Sequence, residues 1–168
     1  MITIPKLFFA RLLASDSAER KIQAMKQKVL FLCTGNSARS QMGEAFLRQY
    51  RGEVFDVYSA GLEPKGINPF TVQVMEEIGI DISSQYSKSV KEFLGKDLIQ
   101  TVITVCDDAE KNCPVIWPGV HERIHWSFED PAAFEGTDQE KLNKFREIRD
   151  QIDRKIQAWL LEKGPLTN

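Results

Sequence analysis

One short stretch constrains the fold more than any other. Val29-Leu30-Phe31-Leu32 is a continuous apolar run, the pattern of a parallel strand buried on both faces. It breaks at once into Cys33-Thr34-Gly35-Asn36-Ser37-Ala38-Arg39-Ser40. A helical pattern follows, with Met42, Ala45, Phe46 and the pair Gln49-Tyr50 on its inner face. A buried strand that passes through a loop of small residues into an amphipathic helix is the opening unit of an α/β domain.

The rest of the chain repeats the alternation. Val54 to Ser59 reads as a second strand, stopped by Gly61. Asn68-Pro69 supplies a capping residue and a proline at the first helical position, opening a helix to about Ile78 that Gly79 closes. A short helix is expected around residues 89–94, then a third strand over Leu98 to Val105, rich in β-branched residues. Arg123-Ile124-His125-Trp126 forms a weaker fourth strand. Leu142, Phe145, Ile148, Ile152, Ile156 and Trp159 fall at helical spacing and predict a long helix over 138–162. The expectation is one α/β domain over residues 28–164, an open four-stranded parallel sheet with helices on both faces. Residues 165–168 are a tail. Residues 1–27 read as an extension, helical or disordered, whose apolar stretch Leu7 to Ala14 is interrupted by Arg11 and is short for a signal-peptide core. Translation starting at Met25 is compatible with the same reading.

Charge and cysteine usage narrow the function classes. The net charge is −2 and no basic cluster gathers, so nothing points to a nucleic-acid surface. No apolar run approaches the ~20 residues that span a bilayer. Three cysteines in 168 residues fit reduced, chemically used thiols in a cytoplasmic protein better than a secreted disulfide scaffold. Buried structural cysteines are the bland alternative for each taken alone.

The Cys33–Ser40 segment has the spacing Cys, five residues, Arg, Ser. In such a strand-to-helix turn, successive backbone N–H groups of residues 34–40 point around one tetrahedral anion, and the helix N-terminus adds positive potential. Arg39 can fork two N–H bonds onto two anion oxygens. The same features favour a thiolate, so Cys33 is expected to be a nucleophile with a depressed pKa. Ser40 suits either a hydrogen bond to Cys33 or a helix cap. After the fourth strand, Pro131 holds Asp130 extended, where a carboxylic acid can protonate an oxygen leaving the anion. Glu129 is its neighbour, and sequence does not choose between them. An ordinary strand-to-helix turn and ordinary Asp-Pro turn chemistry are the competing readings.

These segments, with Tyr58-Ser59-Ala60-Gly61, resemble the low-molecular-weight protein tyrosine phosphatase superfamily, which implies a flavodoxin-type sheet order. Val105-Cys106-Asp107-Asp108, Lys111-Asn112-Cys113-Pro114 and His125 through Ala132 resemble its thioredoxin-coupled arsenate reductase branch. The resemblance implies reduction of arsenate to arsenite, serving detoxification, with Cys33, Cys106 and Cys113 as a thiol relay, Asp130 as acid and Arg39 on the anion. It implies thioredoxin as external reductant, with glutaredoxin the competing choice, no tightly bound cofactor, and phosphate or sulfate as competing anions; nothing in the sequence demands more than a monomer. A tyrosine phosphatase, or a redox-regulated oxyanion sensor without turnover, are the alternatives. Two electrons are needed to reduce As(V), and a dithiol supplies them by forming a disulfide.

Cys33 and Cys106 each follow an apolar strand, which sets both on one carboxyl rim if the strands are parallel. Cys113 lies seven residues after Cys106. A continuous helix would part them by roughly 10 Å, beyond the ~7 Å limit for a disulfide. Residues 107–112 must therefore loop or unwind for Cys106 and Cys113 to join, which predicts a redox-switched segment there. Two departures from the family stand out. Ala38 replaces a second loop cysteine, removing a protective partner for Cys33. Asn36, Glu44 and Ser59 match a monovalent-cation site of some relatives, but Lys88 takes the place of its Asp. An ammonium there argues against potassium dependence.

Overall fold

The computed structural model describes residues 26–96, 98–113 and 117–164. The leader over 1–25 and the tail over 165–168 lie outside the described residues.

Four strands, β1 (Gln27–Cys33), β2 (Phe55–Gly61), β3 (Thr101–Thr104) and β4 (Glu122–His125), form one sheet. Their order is β2-β1-β3-β4 and every pairing is parallel. The helices are α1 (Arg39–Arg51), α2 (Pro69–Glu76), α3 (Asp107–Asn112) and α4 (Asp138–Lys163), with 3₁₀ turns at Val90–Glu92 and Pro131–Ala133. The central strand β1 carries the core: Val29, Leu30, Phe31 and Leu32 are fully buried, as a strand covered on both faces requires.

Alternation along the strands assigns the two faces. Phe31 packs its ring against Trp126, which meets Trp159 of α4 edge-on at 6.2 Å. α1 lies on this face too, at Gly43. A Cβ built there would come 2.6 Å from the Phe31 ring, so only glycine lets the helix approach so closely. On the opposite face Leu30 is in register with Tyr58. The Tyr58 ring contacts Phe93, just after the Val90–Glu92 turn. α3 lies on this second face, because β4 reaches it through Arg123 and His125 while Ile124 and Trp126 point the other way.

Local signals explain the boundaries. Asn68 accepts from the Phe70 N–H ahead of α2, and Gly79 takes φ +76 just beyond it, the left-handed geometry glycine tolerates best. Thr137 and Glu140 form a capping box at the start of α4. Gln27 is paired in β1, within the stretch assigned to the extension.

Several expectations need correcting. Gln49 and Tyr50 are exposed rather than inward; the Tyr50 hydroxyl donates to Asp153 of α4 at the surface. The third strand is shorter than Leu98–Val105, since Leu98 is 68% exposed and outside the ladder. The helix expected at 89–94 is a single 3₁₀ turn closed by a Ser89–Glu92 capping box. Residues 107–112 are helical here with all three cysteines as thiols, which leaves the expectation of unwinding when Cys106 and Cys113 join untouched.

Gly43→Ala should destabilise the fold by about 1–3 kcal/mol through overpacking onto Phe31, read as a lower urea midpoint with an unchanged m-value.

Candidate active site

The loop between β1 and α1 winds around Asn36. This residue takes φ +46, a left-handed conformation that Asn accepts more readily than most residues. It is fully buried, and its amide has four partners. Nδ2 donates to Ser40 Oγ and Ser59 Oγ, each at 2.9 Å. Oδ1 accepts from the Lys88 backbone N–H at 2.7 Å and from Gln41 at 2.9 Å. Gln85 braces Gln41 in turn. The loop also lies against the end of β2, where a Cβ at Gly61 would come 2.8 Å from the Asn36 nitrogen and the Thr34 carbonyl oxygen. Gly61 is therefore required by close backbone approach, beyond simply ending a strand.

Cys33 ends β1 with its sulfur facing this turn. Ser40 Oγ lies 2.9 Å from Cys33 Sγ, and the Asn36 N–H donates to the sulfur at 3.0 Å. Of the two roles open to Ser40, the thiol contact is the one it takes; Ala38 holds the cap position of α1 and makes no side-chain cap bond. The expected depression of the Cys33 pKa is not found in this conformation. Burial pushes the thiol up, opposed by Ser40, the Asn36 N–H and Arg39. The physical reason is desolvation of a residue that is 3% exposed, with Cys106 adding a smaller upward push.

Arg39 spans the cleft to the loop that follows β4. One guanidinium nitrogen donates to the Phe128 carbonyl at 2.9 Å, and another pairs with Asp130 Oδ2 at 2.8 Å. The other Asp130 oxygen accepts from the Ala132 N–H. Glu129 instead pairs with Lys144 of α4 at 2.7 Å. Geometry thus separates the two neighbouring carboxylates that sequence left equal.

Cys106 follows β3 by two residues and caps the start of α3; β3 lies next to β1 in the sheet, and Cys33 and Cys106 line one cleft with Arg39 and Asp130. Thr34 Oγ1 lies 3.4 Å from Cys106 Sγ, linking the loop to the second cysteine. Gly35, Ser37 and Ala38 line the same cleft, while Asn36 and Ser40 support it from behind. Cys113 caps the far end of α3 and is absent from the cleft lining. Lys65 and Lys111 stand on the rim, unsuspected from the sequence. Phe128 is the one aromatic side chain among the described lining residues.

Glu44, Ser59 and Lys88 form a buried polar group beside the loop. Ser59 donates to Glu44, and the Lys88 ammonium lies 3.4 Å from Glu44 Oε2 and 2.9 Å from the Tyr86 carbonyl. An ammonium in the cation's place is expected to hold both Asn36 and Glu44; it pairs with Glu44, while Asn36 Oδ1 accepts from the Lys88 backbone N–H.

Ser40→Ala removes a contact that lowers the Cys33 pKa, so the thiol should titrate at higher pH than in the wild type. The check is the pH dependence of Cys33 alkylation with Cys106 and Cys113 replaced by Ser. A downward shift would contradict this assignment.

The similarity of this arrangement to known proteins is extensive. A family model described as low molecular weight phosphotyrosine protein phosphatase matches residues 28–164. An arsenate reductase of Halalkalibacterium halodurans is 49% identical over 135 residues, spanning 80% of this chain and 95% of its own. A solved arsenate reductase in a phosphate-binding state has a TM-score of 0.67 at 33% identity, covering 81% of this chain and 98% of that one. A thioredoxin-dependent arsenate reductase of Corynebacterium glutamicum has a TM-score of 0.57 at 31% identity, covering 91% of this chain and 71% of that one. The chain belongs to the low molecular weight phosphotyrosine protein phosphatase family and, within it, to the arsenate reductases.

Proposed function

We propose that this protein reduces arsenate to arsenite through Cys33, Cys106 and Cys113, is regenerated by thioredoxin, and serves arsenic detoxification in the cytoplasm. The observation that carries the reading is the placement of Cys33 and Cys106 at the carboxyl rim of two adjacent parallel strands, in one cleft with Arg39.

Arsenate is a tetrahedral oxyanion of the size the Cys33–Ser40 turn is built to cradle, and phosphate and sulfate compete for the same donors. Anion oxygens entering beside Arg39 take over its fork, which now pairs with Asp130. That exchange frees the Asp130 carboxylate to face the anion, where it takes up the Cys33 thiol proton and becomes the proton donor. Cys33 attacks arsenic, and one oxygen leaves with the Asp130 proton. Cys106 then attacks the Cys33 sulfur. The sulfur–arsenic bond breaks, its electron pair stays on arsenic, and As(V) becomes As(III). Arsenite departs as a Cys33–Cys106 disulfide forms, so two thiols have supplied two electrons. No bound cofactor is required, and one chain carries the whole set.

Cys113 completes the relay by attacking Cys106 and freeing Cys33. In the reduced state the two residues cap opposite ends of α3, roughly 10 Å apart along a helix. Since a disulfide needs Cα atoms within about 7 Å, α3 must unwind for the transfer. The resulting Cys106–Cys113 bond is what thioredoxin reduces. The phosphatase alternative uses loop and acid equally well but gives Cys106 and Cys113 no task, and Phe128 alone makes a sparse wall for an aromatic substrate.

Lys88 supports potassium independence, because its ammonium already provides positive charge to buried Glu44. Equal turnover and equal urea midpoints in potassium and sodium buffers are expected; a clear potassium requirement would refute this.

The overall reading is tested by arsenate-dependent NADPH oxidation with thioredoxin and thioredoxin reductase. Wild-type turnover that Cys106→Ser and Cys113→Ser each abolish is expected. An inert wild type that hydrolyses aryl phosphates, with both variants equally active, would establish the phosphatase instead.

A further inference from the structure

The face of β4 that turns toward α3 grips this helix at both ends. His125 Nε2 lies 3.1 Å from Asp107, the first residue of α3, and Ser127 donates to the same carboxylate at 2.8 Å. Two residues earlier on the strand, and so on the same side, Arg123 donates from a guanidinium nitrogen to Cys113 Sγ at 3.4 Å. The strand is fixed by its ladder to β3, whereas α3 must come apart for Cys113 to reach Cys106. Arg123 is therefore a stationary cation placed against the nucleophile of the last relay step.

We propose that Arg123 is a catalytic residue for the disulfide transfer, stabilising the Cys113 thiolate that attacks Cys106. The proposal rests on the three-thiol reading and assigns its final internal step a partner. The step balances without an added reagent. The Cys113 thiolate forms a bond to Cys106 Sγ, the Cys33–Cys106 bond breaks, and its electron pair leaves on Cys33 as thiolate.

Several groups act on Cys113. Burial pushes its thiol up, Arg123 from β4 pulls it down through charge and hydrogen bond, and Glu110 from α3 opposes Arg123. Glu110 is itself held by Thr104 of β3, with His125 near it. The guanidinium thus counters both a desolvation cost and a like-charge cost. Its effect on rate has a definite form. A tenfold fall in thiolate fraction below the thiol pKa is partly offset, because the more basic thiolate attacks about threefold faster. The net loss at neutral pH is about threefold for each such tenfold fall, and the sign reverses above both pKa values.

The test uses the full chain with wild type, Arg123→Ala and Arg123→Lys. Reduced protein is mixed with stoichiometric arsenate and acid-quenched over time. Peptide mapping then follows conversion of the Cys33–Cys106 disulfide to Cys106–Cys113. In parallel, the pH dependence of Cys113 alkylation is measured on reduced protein. Arg123→Ala should raise the alkylation midpoint, slow the transfer about threefold or more near neutrality, and cross the wild-type rate at high pH. Arg123→Lys should restore most of both. A slowdown independent of pH, with an unmoved alkylation midpoint, would show a merely structural contact and overturn the proposal. Wild-type protein that releases arsenite yet never forms Cys106–Cys113 would refute the relay itself, and with it the transfer step assigned to Arg123, even if the midpoint shifts.

Discussion

The buried amide of Asn36 is the constraint on which the site depends. A left-handed residue at the centre of a strand-to-helix turn is stable only if its backbone and side chain are held from several sides. Here Ser40, Gln41, Ser59 and Lys88 do so, drawing α1, β2 and the segment before the Val90–Glu92 turn onto one residue. The Asn36 N–H that reaches Cys33 Sγ is aimed by the same turn. Loop curvature, sulfur environment and the packing of β1 against β2 are one arrangement, and Gly61 is the position that lets the backbones meet.

A second dependence runs across the cleft. Arg39 joins the loop to the Phe128–Asp130 segment, so the proposed anion-binding cation and the proposed acid are held together before any substrate arrives. Burial pushes the Cys33 thiol up, against the lowering pull of Ser40, the Asn36 N–H and Arg39. An anion that draws Arg39 inward changes both conditions at once, bringing positive charge toward the thiolate and releasing the carboxyl group.

Much of this was legible in the sequence because local chemistry encodes it. The apolar run of β1, the Asn68-Pro69 helix start, the α4 stripe and the Cys33–Ser40 spacing each carry their own structural reason. What stayed hidden depends on contacts between distant segments. Nothing near Ser40 says whether its hydroxyl caps a helix or touches sulfur, and nothing near Asp130 separates it from Glu129; the first is decided by the turn at Asn36, the second by Lys144 on α4. Burial of Cys33 is likewise a property of the assembled core. Arg123 and His125 read as part of the fourth strand, but nothing local says that they face residues 107–112, which the sequence marks only as a segment that must unwind for a disulfide. In the proposed relay the helix of that segment belongs to the reduced state, when Cys106 and Cys113 have no bond to make.

The central claim is that Cys33 and Cys106 together deliver two electrons to arsenic. The most direct measurement is a single turnover of Cys113→Ser with excess arsenate and no external reductant, followed by arsenite quantification and disulfide mapping. The account predicts one arsenite per protein and a trapped Cys33–Cys106 disulfide. Absence of arsenite, with both residues still thiols in folded protein, would contradict it.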